Sequence, residues 1–356
     1  MNIGVSNIDS VSSVSSETLS YCTPTSIVPG EEHSVAIGNL MLESGESLTD
    51  ARIGFVTHGV LNARRDNALL LLPGTTNSRH AADGYIGAGK AFDPSRRFIV
   101  SFEALGSGTS SKPSDGLGAD FPDYNIRDLV RCQHEVATLH LGLCRFDVAG
   151  ASMGAFQALE WAIQYPGLVR DAVLMVPAAR ASNIFRGAVR AGREILQAAM
   201  AGREPGSTMA GLDALKTVTR LYFPWTVSDA YLERVALQDI EHEIAVSAER
   251  TAAWHYWDYL KRYQASASHD VSLPFGGDMA AALARVQART LLVPTSSERL
   301  LGAVSAGELQ RGIVGARLAE IRTDRGHLGW RAVEGASESR EINRVITDFL
   351  QQGLTS

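Results

Sequence analysis

The chain has 356 residues, 45% of them hydrophobic and 20% charged, with a formal net charge of −6 at pH 7. This is a globular composition, long enough for a large core with one insertion or a small second domain, and its acidity without any dense Lys/Arg run argues against nucleic acid as a partner. No apolar stretch approaches membrane-spanning length, and the three cysteines, Cys22, Cys132 and Cys144, stand at unrelated spacings that give no disulfide framework.

Residues 1–30 are rich in Ser and Thr and lack a basic segment followed by an apolar one, so they read as a flexible tail and not a secretory signal. With so few cysteines, a reducing, cytoplasmic setting is expected, and Cys132 and Cys144 read as small core-facing hydrophobes. Residues 35–40 and 51–57 flank the polar turn Glu43-Ser44-Gly45-Glu46 and predict a hairpin-like strand pair. The apolar run 67–72, ending at Pro73-Gly74, suits a strand buried on both faces of a parallel sheet, and 97–102 is the next strand. Residues 124–141 read as a helix with Ile126, Leu129, Val130, Val136 and Leu139 on its apolar face. A strand at 143–148, a helix after Met153 and a strand at 171–177 continue the alternation. Together they predict an α/β fold with a mostly parallel, doubly wound sheet.

The rhythm then breaks. Residues 182–286 hold no comparable buried strand, and helices are expected at 184–202, 211–221, 230–241 and 245–263. We read this stretch as a helical lid inserted into a sheet domain formed by 31–181 and 287–356. Its aromatic clusters, around Tyr222 to Trp225 and Trp254 to Tyr259, suit packing between lid helices, with Trp225 retained as a candidate substrate contact. Strands at 289–294 and 318–321 and a closing helix at 342–350 complete the sheet domain.

The chemistry centres on Gly150-Ala151-Ser152-Met153-Gly154, the nucleophile-elbow pattern between a strand and a helix. A side chain at either glycine would strike the neighbouring strand or helix, while Ser152 projects above the sheet. A serine hydroxyl needs a base, and the base needs an orienting partner. Of His242, His255, His269 and His327, we choose His327, in the loop between the last strand and the closing helix. His242 and His255 fall within lid helices. Glu298, in the loop after the strand at 289–294, is the expected acid, with Asp324 in reserve and better suited to a local loop role. The competing reading of Glu298 is a surface carboxylate paired with Arg299. The expected oxyanion donors are the N–H groups of Met153 and Thr75, with Gly74 allowing close approach of the substrate. Two decoys are set aside. His134, Glu135 and His140 lack the four-residue histidine spacing of a zinc helix, so no metal is expected, and Gly106-x-Gly108 lacks the remainder of a dinucleotide fingerprint.

The motifs at Leu42-Glu43-Ser44-Gly45, Gly59-Val60-Leu61-Asn62 with Asp66-Asn67-Ala68, Phe121-Pro122 followed by Ile126-Arg127-Asp128-Leu129-Val130, and Gly150 through Ala162 resemble those of the homoserine O-acetyltransferase-like branch of the α/β-hydrolase superfamily. The resemblance covers most of the chain outside the lid. It implies an active site in a tunnel beneath the lid, an acyl-serine intermediate and a homodimer joined through the lids. It carries Ser152 as nucleophile and His327 as base, and puts Glu298 where the family usually has Asp. The chain departs from the family at the oxyanion loop, where the transferases typically have His-Ala-Leu-Thr-Gly and this chain has Pro73-Gly74-Thr75-Thr76-Asn77. The transferases anchor the amino acid's carboxylate with a lid arginine. Arg186, Arg190 and Arg193 on the first lid helix are the candidates, though their register does not match cleanly. The expected function is hydrolysis of a small acyl ester, since water needs no anchor site. The alternatives are an O-acetyltransferase acting on homoserine or serine, with acetyl-CoA as co-substrate and no resident cofactor, and a non-catalytic ligand-binding scaffold.

Overall fold

The structure, a computed structural model, describes residues 29–201, 208–302 and 304–353. Eight strands form one sheet in the order β1-β2-β4-β3-β5-β6-β7-β8. β1 (Glu32–Met41) and β2 (Ser47–His58) are the expected antiparallel hairpin, and β2 pairs antiparallel with β4 (Phe98–Phe102). From β4 onward every pairing is parallel, through β3 (Ala68–Leu72), β5 (Phe146–Ala151), β6 (Val169–Met175), β7 (Arg289–Val293) and the short β8 (Arg317–Leu318). The doubly wound α/β architecture expected from the sequence is therefore present.

The central strands are buried along nearly their whole length because both faces are covered, and β3 is apolar at every position. Leu70, Leu72 and Val148 join one core with α1 (Ile126–His134) and α2 (Met153–Gln164). Leu69, Leu71, Ala149 and Ala151 point the other way, onto Ile342, Ile346 and Phe349 of α10 (Ser337–Gly353). The N-terminal ends of the strands are tied by buried ion pairs. Asp147 lies between Arg97 and Arg170, and Asp171 accepts two bonds of 2.7 Å from Arg289. The same Arg97 and Arg289 also donate to the carbonyls of Leu350 and Phe349, so the charges that close this end of the sheet also dock α10. The opposite, C-terminal edge of the strands is left for chemistry.

After β6 the chain enters α3 (Asn183–Met200), α4 (Thr208–Thr226), α5 (Asp229–Arg234), α6 (Leu237–Ala252) and α7 (Tyr256–Ala267). The segments leading in and out run side by side, with Ala181 N–H on His269 O at 2.8 Å and Val271 N–H on Ala179 O at 3.0 Å. After this return come α8 (Met279–Leu283) and α9 (Ser305–Gly312), and Ala282 and Leu283 pack into the sheet core. Leu196, Leu215, Val218, Tyr222, Tyr256, Tyr259 and Leu260 form a separate core among the inserted helices.

The expected helix at 230–241 is two, because Val235 and Ala236 are extended, and α6 runs through the gap expected at 242–244. α4 continues past 221 and holds Pro224 in its last turn, where its missing N–H costs one bond at most. α1 passes into a π-helical turn, Glu135–His140, and this wider turn carries Leu139 off the buried face to 56% exposure. Cys132 is buried as expected, but Cys144 is exposed, since it lies in the turn before β5. Cys22 and nearly all of the tail lie outside the described residues. Among the described residues, no helix is long and apolar enough to cross a membrane.

Candidate active site

Ser152 follows the last residue of β5 with φ 57° and ψ −121°, a conformation that side chains rarely adopt. Both flanking glycines are required by crowding. A Cβ on Gly150 would lie 2.4 Å from the backbone of Gly154, and one on Gly154 would lie 2.2 Å from Leu72 O on β3. The turn is held from below by Ser152 N–H on Met175 O, at 3.0 Å.

His327 stands on a 3-10 turn, Gly326–Trp330, near the same edge of the sheet. Gly326 has φ 55°, and a Cβ there would meet Val227 backbone at 2.8 Å, so the residue before the histidine has to be glycine. His327 Nε2 is 2.9 Å from Ser152 Oγ, and His327 Nδ1 is 2.7 Å from Glu298 Oε2. Glu298 also accepts from Leu301 N–H at 3.0 Å. Burial alone would raise its carboxyl, but the His327 charge, the ring hydrogen bond and the Leu300 and Leu301 N–H groups together hold it below the ordinary glutamate value. The two loops are laced together by Ser297, whose hydroxyl donates to Thr323 O at 2.6 Å and accepts from Gly326 N–H at 3.0 Å.

The other candidates fall elsewhere. Asp324 accepts two bonds from Arg234 of α5 and offers its carbonyl to Ser228, so it ties the histidine loop to the inserted helices. Arg299, the alternative partner for Glu298, instead pairs with Asp229 and sits 5.3 Å over the ring of Trp225. Trp225 is 36% exposed and occupied by that contact. His255 caps α7, and His242 lies exposed on α6. His269 is buried, stacks on Phe156 at 4.1 Å and bonds Ala178 O at 3.0 Å, and burial pushes its pKa down to about 4. Arg190 pairs with Glu194 on the solvent face of α3, Arg193 is exposed there, and Arg186 spends its guanidinium on the carbonyls of Ala267 and His269. None of the three is brought to Ser152. Of the decoys, His134 stacks on Tyr165 at 4.1 Å, and Gly106 and Gly108 lie in the loop packed on Tyr124 and Glu103.

The loop 73–77, expected from the sequence to supply an oxyanion donor, lies beside the elbow, with a Cβ on Gly74 falling 3.4 Å from Ala151 O. Among the described residues, no acceptor meets the N–H of Met153 or of Thr75. Met153 is also the first residue of α2, at the positive end of its dipole. Gly74 is crowded by its own loop, since an added Cβ would lie 2.5 Å from Asn77 Oδ1.

The residue that sequence reasoning missed is Arg262 of α7. It is completely buried, and its guanidinium donates to Gly74 O at 2.7 Å, to Asn77 O at 3.3 Å and to Ser107 Oγ. Ser107 in turn donates to Glu103, which pairs with Arg79 at 2.7 Å. Burial lowers the pKa of Arg262, though a guanidinium remains charged at any working pH. A cation one turn after Tyr259, in a helix rich in aromatic residues, is the one signal that could have marked it.

Three comparisons bear on this geometry. A family model described as alpha/beta hydrolase fold matches residues 67–292. The chain is 30% identical over 331 residues to a probable esterase of Corynebacterium glutamicum, covering 86% of this chain and 92% of that protein. It is 29% identical over 368 residues to the homoserine O-acetyltransferase of Thermobifida fusca, covering 91% and 95%. Among solved structures it superposes on an acetylester hydrolase from Corynebacterium glutamicum with a TM-score of 0.84 and 26% identity, over 90% of this chain and 96% of the other.

Proposed function

The chain belongs to the alpha/beta hydrolase fold family, and from that premise we propose that it is a serine-nucleophile hydrolase of small acyl esters acting through an acyl-serine intermediate. The observation that carries this reading is the unbroken chain from Ser152 Oγ through His327 to Glu298, with links of 2.9 and 2.7 Å. Glu298 accepts the Nδ1 proton and so fixes the tautomer whose Nε2 lone pair faces the serine. His327 takes the Ser152 proton as Oγ attacks the acyl carbonyl. The N–H groups of Met153 and Thr75 receive the developing oxyanion. His327 then protonates the leaving alkoxide; in the second half-reaction it takes a proton from water as the water oxygen attacks the acyl carbonyl, and returns that proton to Ser152 Oγ as the acyl–Oγ bond breaks and the acid leaves.

The esterase relatives support water as acceptor. The transferase relative supports the alternative, in which an amino-acid hydroxyl takes an acetyl group delivered by acetyl-CoA. The chemistry at Ser152 is the same in both, so the assay must vary the acceptor. We expect turnover of short-chain p-nitrophenyl esters without any added acceptor, and loss of that turnover and of fluorophosphonate labelling in Ser152→Ala with the melting temperature retained. Release of CoA that depends strictly on homoserine, with no ester turnover, would sink the hydrolase reading. Activity surviving in Ser152→Ala would remove the assignment altogether.

A further inference from the structure

A cavity of about 550 Å³ lies between the oxyanion loop, α6 and the turn that carries His327. One wall is Thr76, Asn77 and Ser78, the direct continuation of Thr75. The opposite wall is Ser247, Arg250, Thr251 and Trp254 of the inserted helices, and Trp330 and Arg331 close the end nearest His327. No aspartate or glutamate lines it. Its polar groups are four hydroxyls, the Asn77 amide, His80 and two guanidiniums.

One of those guanidiniums, that of Arg331, is unusual. Arg331 is mostly buried, yet among the described residues neither Arg331 nor Arg250 has an ion pair or a side-chain hydrogen bond. Burial, and then the charges of Arg250 and Arg325, hold the Arg331 pKa below its ordinary value. Arg250 and Arg331 also line an adjoining cavity of about 260 Å³, whose one carboxylate, Glu243, is engaged by Arg325 and the Tyr231 hydroxyl. A partly desolvated cation normally has a carboxylate partner, because an unpaired charge away from water costs several kcal/mol. Arg331, with the exposed Arg250 beside it on the same donor-rich cleft, focuses a positive potential there that suits an anion of two or more oxygens.

We propose that this cavity is an anion-recognition subsite, and that the favoured substrates are acyl esters carrying a carboxylate or phosphate a few bonds from the scissile carbonyl. The proposal rests on the hydrolase reading above. It places the acyl carbon at Ser152 and runs the rest of the substrate along loop 75–78, from the Thr75 N–H to the cavity lined by Thr76, Asn77 and Ser78. The uncharged walls, Trp254 and Trp330, cover the carbon chain between.

The test compares 4-acetoxybutanoate with its uncharged counterpart butyl acetate, following acid release, alongside titration with inorganic phosphate. The anionic ester is expected to have kcat/KM higher by about tenfold or more, the scale of one well-formed charged contact. Phosphate should raise its KM competitively. Arg331→Gln and Arg250→Gln should each pull the ratio between the two esters toward unity, while Arg285→Gln, which removes an exposed cation elsewhere, should not. Arg331→Gln should leave the melting temperature unchanged or raise it, because no partner is lost, and should abolish the stabilisation that phosphate confers. A ratio near unity in the unmodified enzyme, or one indifferent to both substitutions, overturns the proposal. Phosphate binding without any preference between the esters assigns the cavity to a free anion and overturns the substrate subsite. If neither ester is turned over, the hydrolase reading fails instead, and the phosphate-induced thermal shift, present in the native chain and absent in Arg331→Gln, still decides whether the cavity binds anions.

Discussion

Replacing Arg262 by methionine keeps the aliphatic stem and removes the fork that reaches Gly74 O, Asn77 O and Ser107 Oγ. Gly74 O retains the Asn77 N–H at 3.2 Å, but Asn77 O loses its charged donor. Hydrogen bonds to charged groups are each worth about 1.5–3 kcal/mol, and relief of the buried guanidinium's desolvation offsets part of that, so a net loss of about 2–4 kcal/mol is expected. The larger effect should be kinetic. The carbonyls held by Arg262 bracket Thr75, so releasing them lets its N–H drift from the oxyanion. Loss of one such donor costs about 10²–10³ in kcat with little change in KM. Arg262→Lys can reach one carbonyl but not both, and should fall between. Steady-state ester hydrolysis with a parallel thermal melt separates the two effects. A kcat within about threefold of the native enzyme, in a variant whose melting temperature has dropped, would show that Arg262 holds the lid to the core and does nothing for the oxyanion.

Two further outcomes follow from the site. Glu298→Gln should lower kcat by about 10³–10⁴ without unfolding the chain, because an amide no longer fixes the imidazole tautomer; a loss under about tenfold would point to another acid. The second concerns stability. Burial raises Glu160 to about 7 against the opposing charge of Arg127. The folded chain therefore holds a proton there that the unfolded chain releases near 4.5, and the stability this contributes below 4.5 is lost as pH rises through 7. Glu160→Gln should be indistinguishable from the native protein at pH 4.5 in urea unfolding, and more stable at pH 8 by up to roughly 3 kcal/mol. A difference of equal size at both pH values would refute the titration of Glu160 as its source. His269 works in the opposite sense between about 4 and 6.5, so the native protein's own profile is flattened there.

The sheet was legible because β3 is apolar at every position and β5 at all but Asp147, as strands covered on both faces tend to be. The elbow was legible because Gly150 and Gly154 are forced by clashes that any side chain would create. Glu298 and His327 followed from chain order after the serine. Helix ends in the insertion were not legible, since the break at Val235 has neither glycine nor proline to mark it. Nor could Arg186, Arg190 and Arg193 be oriented from sequence: helical spacing placed them on one helix but not on its outer face. Arg262 was hidden for a related reason. Its value lies in carbonyl oxygens some 185 residues away in the chain, and a backbone acceptor leaves no mark on residue type.

That hidden contact bears on the choice of acceptor. The inserted helices contribute to the site through α7, which clamps the oxyanion loop, and through α6, which walls the cationic cavity. They do not contribute through α3, whose arginines point outward or cap carbonyls. An amino-acid acceptor would need its carboxylate held close to Ser152, and both terminal nitrogens of Arg262, the cation that reaches the oxyanion loop, are already engaged by Gly74, Asn77 and Ser107. Arg250 and Arg331, which have no ion pair among the described residues, line the cavity beyond Thr76 to Ser78. On the subsite proposal they hold the distal anionic end of an ester whose acyl carbon is at Ser152. An arginine committed to its own loop offers a short acceptor no free anchor there, whereas water needs none, and a distal anion subsite would add selection among esters.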